Sequence, residues 1–258
     1  NRRATHGEIR EMSTILAAAM DAGAFGMSSG LTYTPGMYAD TAELEALCRV
    51  VAERGGYWAP HTRSYGAAAL DAYREALDIG RRTGCPIHLT HATMNFAPNR
   101  GRASELLALV DEAVADGVDV TLDTYPYLPG ATTLAALLPS RLAEGGDLTG
   151  ALAALDAAGR EAVRAELEDI GCDGFHGERA DWGQIQISGT ASPGLAHLVG
   201  RTIEEIAATE ARRPVDVVLD TIVADGGATG ILMHIGDEAN VREIMQHPRH
   251  TGGSDGIL

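Results

Sequence analysis

The amino-acid sequence predicts an α/β fold and, within that class, a (β/α)8 barrel of the TIM type. Its 258 residues, 45% of them hydrophobic, are enough for one sizeable core. Helical patterns of a dozen or more residues alternate with short apolar strands, which is typical of parallel βα units. Roughly seven such steps run in one direction, which favours a barrel over an open sheet. No Gly-x-Gly-x-x-Gly follows a predicted strand, so a nucleotide-binding sheet is the weaker alternative.

The first half of the chain carries the most regular repeat. A predicted helix ends near a glycine, a short apolar strand follows, and the same order then returns. The helices are expected at residues 8–22, 41–54, 67–83 and 102–116, and the strands at 24–28, 57–61, 86–91 and 118–123. Because a helix comes first and no helix follows the last residues, we expect a fragment whose barrel is incomplete at the N-terminus.

The second half is less regular. Residues 139–181 contain several glycines and two short helical patterns, and they predict an inserted, partly helical excursion. Barrel-like elements are expected to resume with strands at 184–188, 230–235 and 251–253 and helices at 203–211, 215–225 and 238–246. We therefore predict one domain over residues 1–258, a barrel segment interrupted at about 139–181.

Composition excludes several classes of function. The net charge of -16 opposes binding to a nucleic-acid backbone. All 20 basic residues are arginine, so no lysine is present for a Schiff base, a carboxylated metal bridge or a P-loop. No apolar run approaches the roughly 20 residues of a membrane span, and the N-terminus lacks a signal-peptide pattern. The three cysteines form no CxxC pair, and a reducing cytoplasmic location is expected.

Polar residues follow several predicted strands at the ends where barrel active sites lie. His91 at such an end is a natural metal ligand, although a lone histidine is more often a satisfied core residue. Asp255 is the candidate general base, with an Asx turn or helix cap as an equal alternative. Arg63 is expected either to pair with a substrate carboxylate or to bind a neighbouring acidic side chain. His88, three residues before His91, is expected to point to the opposite face and to serve packing.

Six short stretches of the chain have the order and spacing of the motifs of a known family. They are Gly-Ala-Phe-Gly-Met-Ser-Ser-Gly-Leu at 23–31, Tyr-Ala-Asp-Thr at 38–41, His-Thr-Arg at 61–63, Leu-Thr-His at 89–91, Asp-Thr-Tyr-Pro-Tyr at 123–127 and Gly-Ser-Asp-Gly at 253–256. Through them the chain resembles, almost end to end, the N-acyl-D-amino-acid deacylases, or D-aminoacylases, of the amidohydrolase superfamily.

The resemblance implies a site as well as a fold. His91 would be a zinc ligand and Asp255 the catalytic aspartate, and we assign substrate binding to His61, Arg63, Tyr125 and Ser28. The family's His-x-His pair on the first barrel strand and its metal-binding cysteine have no counterpart here. Some ligands of the one or two Zn²⁺ ions are therefore expected outside this segment.

The resulting hypothesis is a zinc-dependent hydrolase that cleaves the linear amide of N-acyl-D-amino acids to a D-amino acid and a carboxylate. A cyclic-amide or dipeptide substrate is the alternative within the same chemistry, since a fold does not fix the substrate. A non-catalytic barrel that binds a small ligand is the alternative from another class. The expected partner is a small molecule, with no nucleic acid and no membrane, and the oligomeric state stays open.

Overall fold

The computed structural model describes residues 2–256, so the first residue and the last two, which end the predicted segment, lie outside the described residues. The chain divides into two compact units. The first, Asn1–Tyr127 with Asp237–Leu258, is called the parallel unit here, and the second, Leu128–Gly236, the antiparallel unit.

The parallel unit is built from repeated helix and strand pairs. Its strands are β1 (Gly26–Gly30), β2 (Tyr57–His61), β3 (Ile87–Leu89), β4 (Val120–Thr124) and β8 (His250–Gly252). Its helices are α1 (His6–Asp21), α2 (Thr41–Ala52), α3 (Ala69–Thr83), α4 (Ala103–Ala115) and α9 (Glu238–Ile244). The strands lie in the order β1-β2-β3-β4-β8, and all four neighbouring pairs are parallel. The carboxyl ends of these strands therefore meet at one edge of the sheet.

Local chemistry sets the limits of these helices. Thr5 and Glu8 form a capping box at the start of α1, and the Asp40 side chain accepts the backbone N–H of Glu43 at the start of α2. Gly84 ends α3 in the left-handed conformation that glycine adopts without steric cost. These signals explain why the predicted bounds of the first four helices agree with the structure to within a few residues.

The core of the parallel unit lies between the sheet and the helices. Alternate strand residues are almost fully buried on the face that meets the helices, and they are Trp58, Ile87, Leu89, Val120 and Leu122. The residues between them point to the opposite face of the sheet, where burial is less complete. That second face leads to the strand ends and carries most of the polar side chains discussed below.

The antiparallel unit differs from the sequence prediction. Strands β5 (Gly130–Thr133), β6 (Ile185–Gly189) and β7 (Gly230–Met233) form a three-stranded antiparallel sheet in the order β5-β7-β6. They are accompanied by α5 (Leu148–Ala153), α6 (Ala157–Arg164), α7 (Ile203–Glu210) and α8 (Pro214–Ala224). Two strands expected in the parallel barrel thus belong to this separate sheet, and the prediction of roughly seven parallel steps was wrong.

The reason for this difference is that an apolar run predicts a buried strand but not its direction, which depends on the partner strand. The antiparallel unit, Leu128–Gly236, also extends further on both sides than the excursion expected at about 139–181. Within residues 2–256 the parallel strands do not close into a barrel, since β1 and β8 stay at the two edges of their sheet. No helix in this range is long and apolar enough to span a bilayer.

We predict that Gly80→Ala destabilises the protein although alanine is the better helix former. A Cβ at residue 80 would lie 2.8 Å from Ile87 Cγ1 and 2.9 Å from Val118 Cγ1, both of which are held in the core. We expect a loss of about 1–3 kcal/mol in the free energy of unfolding, as for other overpacked cores. Urea denaturation of wild type and variant measures it.

The matched control is Gly7→Ala in α1, where the nearest atoms to a Cβ are 3.8 and 3.9 Å away. This variant should be as stable as wild type or slightly more stable. Equal effects of the two substitutions would show that the close approach of α3 to the sheet is not what requires glycine at residue 80.

Candidate functional site

Two imidazoles meet at the carboxyl ends of β2 and β3. His61 is the last residue of β2, and His91 follows the end of β3 by two residues. His61 Nδ1 lies 3.1 Å from His91 Nε2, and the ring centroids are 4.8 Å apart with the planes at 75°. The pairing of neighbouring parallel strands brings together two residues that are far apart in sequence.

The outer nitrogen of each ring contacts a hydroxyl group. Thr32 Oγ1 lies 2.8 Å from His61 Nε2, and the Tyr65 hydroxyl lies 3.0 Å from His91 Nδ1. Thr32 and Tyr65 are both buried. We call His61 Nε2 and His91 Nδ1, which contact these hydroxyls, the outer nitrogens, and His61 Nδ1 and His91 Nε2, which face each other, the inner nitrogens. Each imidazole is therefore held at its outer nitrogen while its inner nitrogen faces the other ring.

His91 owes its position to Asp123, a residue to which sequence reasoning gave no role. His91 has a φ of 37°, in the left-handed region, and its backbone N–H donates to the Asp123 carboxylate. The Asp123 carbonyl accepts the N–H of Ala92 at 2.7 Å. Burial alone would raise the pKa of Asp123, but the nearby His88 imidazole and the hydrogen bond from the His91 backbone outweigh it and lower the pKa. Asp123 is thus an ionised anchor for the turn that carries His91.

The same carboxylate lies against the chain that follows β8. A Cβ at residue 253 would collide with the carboxylate of Asp123, so this close approach requires glycine there. The sequence signal that could have identified Asp123 is its place in β4, near the carboxyl end of a buried parallel strand, together with the glycine before Ser254.

His88 lies on the opposite side of β3 from the one predicted. Its Nδ1 is 2.8 Å from Thr121 Oγ1, and its Nε2 is 3.6 Å from Asp123 Oδ2. Ile87 and Leu89 are the residues of β3 that are buried against the helices. The error arose because strand alternation was extended to His91, although β3 ends at Leu89 and the chain then turns.

Tyr125 and Asp255 lie close enough to interact electrostatically. Tyr125 is buried, and its hydroxyl bonds to the side chains of Asn95 and Thr93. Burial raises the pKa of Tyr125, and the charge of Asp255 adds to the increase, so this phenol stays protonated at neutral pH.

Asp255 is exposed and follows β8, at the sheet edge where β3 and β4 also end. Its φ of 48° is left-handed. In the turn itself the hydroxyl of Ser254, rather than the carboxylate of Asp255, accepts the backbone N–H of Gly256 at 3.3 Å. Asp255 thus lies at the same edge of the sheet as the His61–His91 pair.

Arg63 binds acceptors of its own chain. Its guanidinium donates to both carboxylate oxygens of Glu75, at 2.9 and 3.2 Å, and to the carbonyls of Met37 at 3.2 Å and Ala39 at 3.0 Å. Burial alone would raise the pKa of Glu75, but hydrogen bonds from Arg63 and Thr41 lower it below its usual value. These contacts favour the structural alternative for Arg63 over substrate binding.

Ser28 lies in the middle of β1, paired with Ala59 of β2. The neighbouring Ser29 accepts a hydrogen bond from Trp58 Nε1 at 3.0 Å on the helix-facing side. Because side chains alternate along a strand, Ser28 is directed to the other face, the one that carries His61. It stays a candidate substrate contact.

The His61–His91 pair fits two ligands of a zinc ion. Zinc–nitrogen bonds are about 2.0–2.1 Å, so two ligands at a tetrahedral angle lie about 3.3 Å apart. The observed separation of 3.1 Å is close to this value. Among residues 2–256, however, no group of three or more histidine, cysteine, aspartate or glutamate side chains could hold a metal. The described residues therefore supply part of a metal site.

Comparison with curated proteins gives two relatives along nearly the whole chain. N-acyl-D-glutamate deacylase of Alcaligenes xylosoxydans xylosoxydans is 45% identical over 257 residues, which cover 97% of this chain and 42% of that protein. N-acyl-D-aspartate deacylase of the same organism is 31% identical over 259 residues, covering 99% and 42%. This chain thus spans less than half the length of these relatives. No protein-family model matches it.

Comparison with solved structures finds proteins of the same kind. N-acyl-D-glutamate deacylase from Bordetella bronchiseptica, in complex with zinc and a phosphonate that mimics the tetrahedral intermediate, has a TM-score of 0.75 at 31% identity over 98% of this chain and 44% of that one. A crystal structure of D-aminoacylase, described as defining a subset of amidohydrolases, has a TM-score of 0.72 at 29% identity, covering 99% and 44%.

The parallel βα units, with imidazoles at the strand ends, are those of an amidohydrolase-type TIM barrel. Within this class the chain is similar to the D-aminoacylases along nearly its whole length, although it spans less than half of theirs.

We predict that Arg63→Ala lowers stability and leaves KM unchanged. The variant removes four hydrogen bonds from a half-buried guanidinium and leaves Glu75 without its cation. We expect a loss of about 2 kcal/mol in the free energy of unfolding. Arg242→Ala is the control, because its ion pair with Glu238 is exposed, and it should cost at most about 0.5 kcal/mol. A raised KM with unchanged stability would instead support a substrate contact.

A second prediction concerns the pH dependence of the same ion pair. Because the folded-state pKa of Glu75 is lowered, its contribution to stability is complete above the unfolded pKa of about 4.3 and is lost as the pH falls through the folded value. Urea midpoints of wild type and Glu75→Gln should therefore differ at neutral pH and converge in acid. A difference that persists unchanged to the acid limit would contradict the lowered pKa.

Proposed function

We propose that the protein containing this chain is a zinc-dependent hydrolase that cleaves the linear amide of N-acyl-D-amino acids to a D-amino acid and a carboxylate. The observation that carries the proposal is the 3.1 Å approach of His61 Nδ1 to His91 Nε2 at the carboxyl ends of parallel strands. In a barrel this edge is where active sites lie.

His91 and His61 are the proposed zinc ligands of this chain. The sequence predicts a substrate contact for His61, but its Nδ1 faces His91 Nε2 at 3.1 Å, which supports a shared ion. A catalytic zinc usually has three protein ligands and one open position. We propose that the remaining ligands come from outside the described residues, as the family resemblance implies.

Bound zinc would supply Lewis-acid polarisation of the amide carbonyl and a more acidic water. The other steps use side chains of this chain. Asp255 takes a proton from the attacking water and passes it to the leaving amine nitrogen. Tyr125, whose raised pKa keeps it protonated, donates a hydrogen bond to a substrate oxygen. Ser28 lines the same face as His61.

The proposed partner is the small-molecule substrate, and the proposed location is the cytoplasm. All three cysteines, Cys48, Cys85 and Cys172, are buried free thiols, which suits a reducing compartment. The net charge of -16 opposes nucleic-acid binding. The relatives act on acidic N-acyl-D-amino acids, so N-acyl-D-glutamate and N-acyl-D-aspartate are the first substrates to test.

We predict that His91→Gln in the full-length protein lowers zinc affinity and deacylase activity by more than about 100-fold, so that the purified variant carries less zinc. Loss of an outer-sphere partner costs about 10–100-fold, and loss of a ligand should cost more. His197→Gln is the control, since His197 is exposed and its Nδ1 lies 3.0 Å from the Gly194 carbonyl oxygen. The measurements are metal analysis and release of the D-amino acid from N-acetyl-D-glutamate, N-acetyl-D-aspartate and N-acetyl-D-leucine.

Three results would overturn the proposal. Turnover of hydantoins or dipeptides without turnover of N-acyl-D-amino acids would favour the alternative substrates. Binding without turnover of any amide would favour a ligand-binding barrel. Full activity of His91→Gln would remove the proposed zinc site.

A further inference from the structure

Four side chains form one continuous hydrogen-bonded series through the site. Thr32 Oγ1 contacts His61 Nε2 at 2.8 Å, His61 Nδ1 faces His91 Nε2 at 3.1 Å, and His91 Nδ1 contacts the Tyr65 hydroxyl at 3.0 Å. Both ends of the series are hydroxyl groups, which either donate or accept a hydrogen bond. The direction of each bond therefore depends on which imidazole nitrogen carries the proton.

A neutral imidazole has one N–H and one lone pair, so each ring binds a cation only in one tautomer. For His91 Nε2 to offer its lone pair, the proton must be on Nδ1 and be donated to the Tyr65 oxygen. For His61 Nδ1 to offer its lone pair, the proton must be on Nε2 and be donated to Thr32 Oγ1. In this arrangement two lone pairs face each other, which is favourable only with a cation between them.

The surroundings of Tyr65 suit the acceptor role. Its oxygen already accepts the backbone N–H of Thr62 at 3.0 Å. The hydroxyl oxygen has a second lone pair, which can accept the proton of His91 Nδ1.

The same contact joins both imidazoles to one turn of the chain. Thr62 directly follows His61, and its N–H binds the tyrosine that contacts His91. Thr62, Tyr65 and the intervening Ser64 are buried. A shift of this turn would therefore displace both rings together.

We propose that Tyr65 and Thr32 are positioning residues that fix the tautomers and orientations of His91 and His61, so that both inner nitrogens present lone pairs to one metal ion. This inference rests on the proposed zinc site and assigns its outer contacts. Outer-sphere partners of this kind orient a metal-binding histidine and increase its basicity.

The test uses Tyr65→Phe in the full-length protein, with Tyr73→Phe as the matched control. Tyr73 is also buried, and its hydroxyl accepts the N–H of Thr93 and donates to the Thr93 carbonyl, both at 2.8 Å. Each variant removes one buried hydroxyl that satisfies a backbone N–H. Only Tyr65 contacts a proposed ligand.

We expect Tyr65→Phe to weaken zinc binding by about 10–100-fold, measured by competition with a chelator. Tyr73→Phe should leave zinc affinity near the wild-type value, although both variants lower stability. Nitrogen-15 NMR of the histidine rings should show His91 with its proton on Nδ1 in the zinc-loaded wild type. In zinc-free protein, Tyr65→Phe should change the tautomer populations of His91, whereas Tyr73→Phe should not.

Thr32 provides an independent arm with a conservative variant. Thr32→Val removes the hydroxyl and should weaken zinc binding, whereas Thr32→Ser keeps it and should restore most of the affinity. If Thr32→Val and Thr32→Ser weaken zinc binding equally, the proposed role of the Thr32 hydroxyl is wrong. If Tyr65→Phe and Tyr73→Phe weaken zinc binding equally, the proposed role of Tyr65 is wrong.

The outcomes separate this inference from the proposed function. A wild type that binds zinc through both histidines but hydrolyses no N-acyl-D-amino acid refutes the proposed activity and leaves the positioning roles in place. An active deacylase in which Tyr65→Phe and Thr32→Val keep full zinc affinity and unchanged tautomers refutes the positioning roles alone. A wild type whose His61 and His91 signals do not respond to zinc overturns the inference at its first step.

Discussion

The parallel register of neighbouring strands is the constraint on which the site depends. Trp58 pairs with Ile87, and Ile87 pairs with Val120, so β2, β3 and β4 end at one edge of the sheet. A shift of one residue would exchange the buried and polar faces of a strand, and the apolar residues packed against the helices oppose it. The core thereby determines where His61 and Asp123 project. The strand register therefore determines both the geometry of the site and the packing of the core.

The polar groups at this edge are tolerated because nearly all of them bond to one another or to the backbone. An unpaired buried polar group costs roughly 1–3 kcal/mol, so a half-satisfied cluster would weaken the fold. The hydroxyl of Tyr65 accepts the backbone N–H of Thr62, the residue after His61. Asp123 does the same for His91. The side chains that shape the site also satisfy the irregular backbone around it.

Sequence reasoning was most successful where one local signal determines the outcome. The first four helices carry caps, glycine stops and a clear apolar period, and their predicted bounds were close to those in the structure. The antiparallel sheet was missed because strand direction depends on residues distant in sequence. His88 was misplaced because an end of a strand at Leu89 cannot be read from alternation alone.

The sequence predicted which residues lie at the strand ends, but not which of their side chains contact one another. His61 and His91 were both selected, yet their mutual approach depends on the pairing of β2 with β3 and on the turn after Leu89. The sequence predicts either a substrate contact or a structural ion pair for Arg63. The positions of the Glu75 carboxylate and of the Met37 and Ala39 carbonyls decide in favour of the ion pair. Asp123 was given no role because its contacts with the backbone N–H of His91 and with His88 depend on the turn after Leu89 and on the pairing of β3 with β4.

The left-handed backbone at His91 has a consequence for how such a site is kept. A residue with a Cβ in this region carries a steric cost of order 1–3 kcal/mol, which glycine avoids. Selection for stability alone would therefore favour glycine at residue 91, and a drift toward the more stable fold would erase the imidazole. A histidine at this position therefore indicates that the orientation of the imidazole matters more to the protein than the stability that glycine would add.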